Sequence, residues 1–307
     1  MGGGKGFIRV ERKFQHGKLS RRTARRKSGT GCAARIGMLR RMWSPEANAD
    51  FDRDTQAATA LSIPLSEYVL PLFVDSPGKF PEMFGTGFLV QDGEAIFLVS
   101  AAHVLDRANH LYYYIEPGIT RRLSGRIAKS TPPNDGPRGS DHLDIAVLKM
   151  EGPRLPPYPD IAKRTMPISM LLPSALPRDD KQYLVVGYPS SKSKANRQHR
   201  EVKSQPISFR NVSAVRAQYD TLGVTPETHI ILPLDLKKTV ALKGKIQPFV
   251  SPHGLSGSPM FLLPTGWNKG EATPVVGVVI EHYKNERALI ATDIGFVAEI
   301  IRASPNW

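Results

Sequence analysis

Three short motifs carry side chains that could act together in nucleophilic catalysis. His103 follows an apolar run, Asp144 precedes another, and Ser256 lies in a Gly-Leu-Ser-Gly-Ser-Pro hexapeptide. An imidazole can serve as general base for a serine hydroxyl, and a buried carboxylate fixes its tautomer and stabilises the imidazolium. Each motif alone is more often a structural histidine, a strand-initiating aspartate or a plain turn. Together, in this order, they predict a serine nucleophile with a His–Asp base.

The glycines around Ser256 indicate a tight turn that exposes the hydroxyl, because glycine adopts backbone conformations that other residues avoid. The N–H groups of Gly254 and Ser256 could then converge as an oxyanion hole. The hexapeptide is not the Gly-x-Ser-x-Gly elbow of α/β-hydrolases, because Ser258 occupies the position of the last glycine.

Asp106 and Asp141 compete with Asp144 for the role of the carboxylate that orients His103. Asp106 is too close to His103 in sequence to fold back easily, and Asp141 precedes a polar histidine rather than an apolar strand. Asp144 is therefore the favoured candidate.

Short β-type runs make up most of the chain from about residue 66. They are rich in Val, Ile, Leu, Tyr and Phe and separated by Gly, Pro and polar clusters, which favours an all-β sandwich or barrel. A helical pattern is clear over 295–303. The predicted strands are 68–74, 87–91, 95–100, 111–115, 145–150, 183–187, 207–215, 229–234, 260–263, 275–280 and 288–292.

A proline-rich stretch divides these strands into two groups. Prolines suit an extended connector better than a helix or a central strand. We therefore predict a first β-barrel over 51–152 with the histidine and aspartate, a connector over 153–180, and a second β-barrel over 181–307 with the serine and a C-terminal helix. A site shared by the barrels would lie in the cleft between them.

The net charge of +14 is concentrated near the N-terminus. Residues 1–45 hold 13 Lys and Arg against one acid, Glu11, whereas 46–307 hold 29 basic and 27 acidic residues. With few periodic apolar residues, 1–50 is predicted to be a basic, disordered tail. Nucleic acid or an anionic surface could bind through residues 1–45 only; a solvated tail without a partner is the alternative.

Composition argues against several other classes of protein. The chain is 40% hydrophobic and 23% charged, as soluble globular proteins are, and no apolar run approaches the length of a transmembrane helix. Cys32 is the only cysteine, which excludes an internal disulfide or a multi-thiolate zinc site, and the histidines lack metal-ligand spacing. We expect no metal or cofactor and a cytoplasmic location, with organellar targeting by the basic N-terminus left open.

The three motifs closely resemble the active-site blocks of trypsin-like serine peptidases, particularly the disulfide-free bacterial members. The resemblance covers about residues 66–303 and extends to Gly85-Thr86-Gly87-Phe88 and Gly187-Tyr188-Pro189. It implies an all-β, chymotrypsin-like double β-barrel with a short C-terminal helix. It also implies a serine endopeptidase that needs no cofactor and cleaves protein or peptide substrates through an acyl-enzyme.

By this resemblance His103 deprotonates Ser256, Asp144 orients His103, and the amides of Gly254 and Ser256 form the oxyanion hole. The segment 278–282 resembles the strand that pairs with substrate backbone. Its residues are Val278, Val279, Ile280, Glu281 and His282.

The resemblance also bears on specificity for the substrate residue before the cleaved bond, P1. Val250 stands where trypsins carry the aspartate that recognises Lys or Arg, and Val279 where glutamyl endopeptidases typically place a histidine. We therefore expect a neutral or apolar P1 residue. His253 and His282 lie near this pocket in the sequence and could line it.

Two other functions stay open at this stage. A catalytically silent member of the protease fold could serve as a binding module, although an intact His, Asp and Ser set argues against it. A nucleic-acid-associated protein would have to use the basic tail, because the rest of the chain is nearly neutral.

Overall fold

The computed structural model describes residues 8–9, 45–74, 81–116, 119–151, 164–173, 177–178, 181–196, 201–237, 239–240, 246–264 and 273–303. The predominant secondary structure is β, with 43% of residues in strands, and most strands belong to two curled, largely antiparallel sheets. The α-helices are α1 (Pro45–Leu65), α2 (Ala102–Leu105), α3 (Arg216–Leu222) and α4 (Gly295–Arg302).

The first sheet has the strand order β1-β7-β8-β4-β3-β2-β5-β6, and β9 pairs with β3. The β1–β7 and β3–β9 pairs are parallel and the others antiparallel. The strands are β1 (Ile8–Arg9), β2 (Val69–Val74), β3 (Glu82–Asp92), β4 (Ala95–Ala101), β5 (Leu111–Glu116), β6 (Ile119–Arg122), β7 (Gly125–Lys129), β8 (Ile145–Met150) and β9 (Thr165–Pro167).

The second sheet has the order β13-β10-β17-β18-β19-β14 and is antiparallel throughout; β11–β12 and β15–β16 form separate two-stranded ribbons. The strands are β10 (Gln182–Gly187), β11 (Ser193–Asn196), β12 (Glu201–Ser204), β13 (Ile207–Val212), β14 (His229–Pro233), β15 (Thr239–Val240), β16 (Ile246–Gln247), β17 (Pro259–Leu262), β18 (Val275–Tyr283) and β19 (Ala288–Asp293).

The apolar core has three layers: the inside of each sheet, and a shared layer where the two sheets meet. Alternate side chains of one strand enter different layers, since neighbouring residues point to opposite faces. In β3, Phe88 packs in the shared layer and Leu89 inside the first sheet. In β10, Val186 packs in the shared layer and Val185 inside the second sheet. Burial on both faces explains why these strands are nearly continuous apolar runs.

The long helix α1 was not predicted, and it lies across the predicted boundary between tail and first barrel. It packs on β10 and β13 of the second sheet. Arg210 of β13 donates to Thr55 Oγ1 at 3.0 Å, pairs with Asp54 at 3.6 Å and stacks over the Phe51 ring. These contacts stabilise a helix whose sequence has no strong apolar stripe.

Two other segments differ from the predictions. Thr165–Pro167, within the predicted connector 153–180, pairs in parallel with Leu89–Gln91 of β3 and so belongs to the first sheet. Ile8–Arg9, in the tail predicted to be disordered, pairs with β7. Apart from Ile8–Arg9 and Pro45, the predicted nucleic-acid region 1–45 lies outside the described residues. Within the described ranges, no helix has the length and apolar character needed to cross a membrane.

Candidate active site

The pairing of β4 with β8 brings His103 beside Asp144. Ala101 lies opposite Ile145 in this pair, so the residues just after β4 and just before β8 are neighbours. The Ala102 amide donates to the Asp144 carbonyl at 2.8 Å, which fixes the junction. The position of both candidate residues therefore follows from the strand register.

The Asp144 carboxylate holds His103 through two hydrogen bonds. His103 Nδ1 lies 2.5 Å from Oδ2, and the backbone amide of His103 donates to Oδ1 at 2.9 Å. An ionised carboxylate only accepts, so the imidazole proton sits on Nδ1 and Nε2 is left to accept a proton. The His103 side chain is 37% exposed and that of Asp144 12%, which suits a solvent-accessible base on a buried anchor.

The rival aspartates are engaged elsewhere. Asp106 pairs with Lys129 and with Arg138 Nε at 2.8 Å. Burial opposes ionisation of Asp106, but the hydrogen bonds from Arg138 and Lys129 outweigh it and hold the pKa of this carboxyl below its ordinary value. Asp141 accepts from Arg138 Nη1 and from Ser130 Oγ, each at 2.6 Å. These two carboxylates form an ionic cluster and leave the orienting position to Asp144.

Ser256 lies in a turn held against β3 of the first sheet. Its carbonyl accepts from the Thr86 amide at 2.9 Å, and Thr86 Oγ1 donates to the Gly254 carbonyl at 2.6 Å. Gly257 has φ 89°, and a Cβ built there would lie 1.9 Å from the Thr86 carbonyl oxygen. Only glycine fits this position, so the glycine beside the serine is required by its contact with the first sheet.

The two predicted oxyanion-hole amides have no acceptor within the described part of the chain. Neither Gly254 nor Ser256 donates a backbone hydrogen bond there, whereas the amides of Leu255, Gly257 and Ser258 donate to carbonyl groups of the protein. Gly254 has φ 92°, a conformation that favours glycine. Unengaged amides on either side of Leu255 are what an oxyanion hole needs.

No hydrogen bond joins Ser256 to His103 among the described residues. Ser256 Oγ instead donates to the Ile280 carbonyl at 3.3 Å. Gly85 separates the two segments: a Cβ there would lie 2.7 Å from Val104 Cγ1 and 3.4 Å from the Ser256 carbonyl oxygen. Gly85 therefore lies between the serine turn and α2, the short helix that contains His103. Catalytic hydrogen bonds are often incomplete without substrate.

The predicted substrate-pairing segment is narrower in the structure. Val278 is paired on both sides, with Pro259 and Thr292. Val279 exchanges hydrogen bonds with the serine turn at 2.7 and 2.9 Å. From Ile280 to Tyr283, β19 is the only described strand beside β18. The free edge that can accept another strand therefore includes Ile280, Glu281 and His282, but not the two valines.

The predicted specificity residues differ in burial and in hydrogen bonding. Val250 is half-buried and makes no described hydrogen bond to the serine turn. His253 is exposed, and its carbonyl accepts from the Ser190 amide at 2.8 Å. His282 Nε2 is buried and has no hydrogen-bond partner among the residues that the structure describes. Burial chiefly, together with the nearby charges of His253 and Lys284, lowers the pKa of His282.

Several residues that shape this region were missed by the sequence analysis. Thr86 lies in a motif that carried the resemblance, but its hydroxyl was given no role. Arg138, His229 and Thr292 give no local signal, because each has a hydrogen-bond partner that is distant in sequence, which for Arg138 is Asp106.

His229 predicts a pH dependence of folding. Its side chain is buried, and burial, the largest influence, lowers its pKa to about 4. Between pH 6.5 and 4 the unfolded chain is protonated here and the folded chain is not. Stability is therefore complete above pH 6.5 and falls as the pH decreases to 4, by up to about 3 kcal/mol.

Urea unfolding at a series of pH values measures this effect. His229→Gln should flatten the dependence in that window, whereas the exposed His110→Gln should leave it unchanged. Parallel curves for the wild type and His229→Gln would contradict the assignment.

A comparison with known protein families finds none that matches the chain, and a comparison with curated proteins finds no similar sequence. Among the described residues, no group of three or more His, Cys, Asp or Glu side chains could hold a metal ion.

Proposed function

We propose that the protein is a trypsin-like serine endopeptidase with a chymotrypsin-like double β-barrel fold. The observation that carries the proposal is the doubly hydrogen-bonded His103–Asp144 pair beside a serine turn with two unengaged amides. The two curled sheets support the fold, and Thr86 of the first sheet is hydrogen-bonded to the serine turn that precedes β17 of the second.

In the proposed reaction, a substrate strand adds to the free edge of β18 beyond Val279 and brings its scissile carbonyl to Ser256. Ser256 Oγ exchanges its hydrogen bond to Ile280 for one to His103 Nε2, which takes the hydroxyl proton as Oγ attacks the carbonyl carbon. The Gly254 and Ser256 amides bind the resulting oxyanion.

In both acylation and deacylation, His103 accepts one proton and then returns it. The His103 imidazolium, stabilised by Asp144, gives its proton to the leaving amine as the C–N bond breaks, leaving an acyl ester on Ser256. A water then attacks the ester, with His103 again as general base, and releases the carboxylic acid and the serine hydroxyl.

The environment of His282 supports a preference for uncharged side chains before the cleaved bond. Its lowered pKa keeps the imidazole neutral near pH 7. A neutral imidazole on the free edge of β18 offers no charge to pair with a charged substrate side chain.

A fluorophosphonate probe tests the proposal directly. Native protein should be labelled on Ser256, and mass spectrometry of the digest identifies the labelled residue. Protein unfolded in urea is the control and should not react, because a serine without its base is a weak nucleophile. Native protein that resists labelling, or is labelled elsewhere, would favour a silent binding module instead.

A further inference from the structure

Two side chains of the second sheet form hydrogen bonds with the backbone just before Asp144. His229 Nε2 donates to the His142 carbonyl at 2.7 Å, and Thr292 Oγ1 donates to the Leu143 carbonyl at 2.5 Å. Both side chains are buried, with 2% and 0% exposure. His229 and Thr292 are cross-strand partners in the β14–β19 pair, so one pair of residues holds two consecutive carbonyls.

The direction of these hydrogen bonds is fixed by their partners. A carbonyl only accepts, so His229 carries its proton on Nε2. His229 Nδ1 then accepts from Thr228 Oγ1 at 2.8 Å, which locks the ring tautomer. The ring also stays neutral at ordinary pH, since burial lowers its pKa to about 4.

Asp144 itself needs to be held, because its backbone has φ 42°, an uncommon conformation for a residue other than glycine. Its own carbonyl is fixed by the Ala102 amide at 2.8 Å. The second sheet fixes the two carbonyls that precede it. The carboxylate therefore leaves a backbone that is anchored on both sides.

We propose that His229 and Thr292 are positioning residues that set the Asp144 carboxylate against His103. This inference rests on the proposed peptidase function. Neither residue contacts His103 or Ser256 through a described hydrogen bond, so each acts through the backbone before Asp144. The contact also links the two halves of the site, because the serine-bearing sheet orients the aspartate that is carried by the other sheet.

Thr292 offers a matched pair of variants. Thr292→Val keeps the shape of the side chain and removes the hydroxyl, whereas Thr292→Ser keeps the hydroxyl. With active sites counted by titration, Thr292→Val should lower kcat on the order of 10²-fold with KM unchanged. The acid limb of the kcat profile should move to lower pH, because the imidazolium loses part of its compensating charge. Thr292→Ser should restore both properties.

A purely structural role would lower the number of active sites and leave the kcat per site and the pH profile unchanged. That result would overturn the inference. If Thr292→Val does not fold, His229→Leu and His229→Gln provide the same comparison at the His142 carbonyl. Leucine cannot donate a hydrogen bond to this carbonyl, whereas the glutamine amide can.

Proton NMR provides a readout that does not need turnover. The short His103–Asp144 hydrogen bond should give a low-field resonance in the wild type and in Thr292→Ser that shifts or disappears in Thr292→Val. This outcome in a protein without peptidase activity would sustain the positioning role and reject the proposed function. A resonance unaffected by Thr292→Val would reject the positioning role, whether or not the protein is an enzyme.

Discussion

Replacing Ser256 by alanine should lower kcat for peptide hydrolysis on the order of 10⁶-fold. The hydroxyl is the proposed nucleophile, and without it no acyl-enzyme forms, so only slow direct attack by water on the bound substrate remains. The residual rate would come from substrate binding and from the Gly254 and Ser256 amides, which alanine preserves. Hydrolysis of a fluorogenic protein substrate, compared at equal concentrations of folded protein, measures the loss.

Ser258→Ala is the matched control for this change. Ser258 lies two residues away and is fully buried, and within the described part of the chain its hydroxyl has no hydrogen-bond partner. Its removal should therefore leave both hydrolysis and fluorophosphonate labelling intact. Equal activity in Ser256→Ala and the wild type would reject Ser256 as nucleophile.

Replacing Asp144 by asparagine should lower kcat by about 10⁴-fold near neutral pH. Asparagine can keep the size and much of the packing of the side chain. However, an amide nitrogen facing His103 Nδ1 would favour the tautomer with the proton on Nε2, which cannot accept from the serine. It also provides no negative charge to stabilise the imidazolium. Initial rates at neutral pH, compared at equal concentrations of folded protein, measure the loss.

Asp141→Asn separates this effect from the general loss of a buried carboxylate. Asp141 is as buried as Asp144, but its oxygens bind Arg138 and Ser130. The change should weaken folding, because Arg138 loses a charged partner, and should leave the rate per active site nearly unchanged. A larger kinetic loss in Asp141→Asn than in Asp144→Asn would assign the orienting role to Asp141.

Much of the strand framework was predictable because both faces of many strands are buried. Val, Leu, Ile and Phe therefore form runs that stand out between turn residues, and Ile145–Met150 has the bounds predicted from sequence. The C-terminal helix was also predictable from its apolar residues, and it ends one residue earlier than expected. Its buried residues are Val297, Ala298 and Ile301, whereas Phe296 and Ile300, on which the prediction also relied, are only partly buried.

The helix α1 could not be predicted in the same way. Its first half contains Asp50, Asp52 and Asp54, and Pro64 lies near its end, so neither propensity nor an apolar stripe marks it. Its stability depends on Arg210, about 150 residues away in sequence. Tertiary contacts of this kind leave no local pattern.

The candidate site also has a part that could be predicted from sequence and a part that depends on tertiary contacts. His103 and Asp144 were predicted as partners, and the β4–β8 register explains why they meet. The hydrogen bonds from His229 and Thr292 to the two carbonyls before Asp144 could not be predicted from sequence. They depend on the β14–β19 pairing and on how the two sheets pack. Short sequence motifs can therefore suggest which side chains react, but they do not reveal the tertiary contacts that position those side chains.

The shared layer between the sheets has a consequence for how the protein is made. Phe88, Val90 and Phe97 of the first sheet are covered partly by Val186 and Phe261, which a ribosome completes much later. During synthesis the N-terminal half must carry a bare apolar face until the rest emerges, and such surfaces attract chaperones or other nascent chains. The packing of the first sheet is therefore complete only after the second sheet has been synthesised.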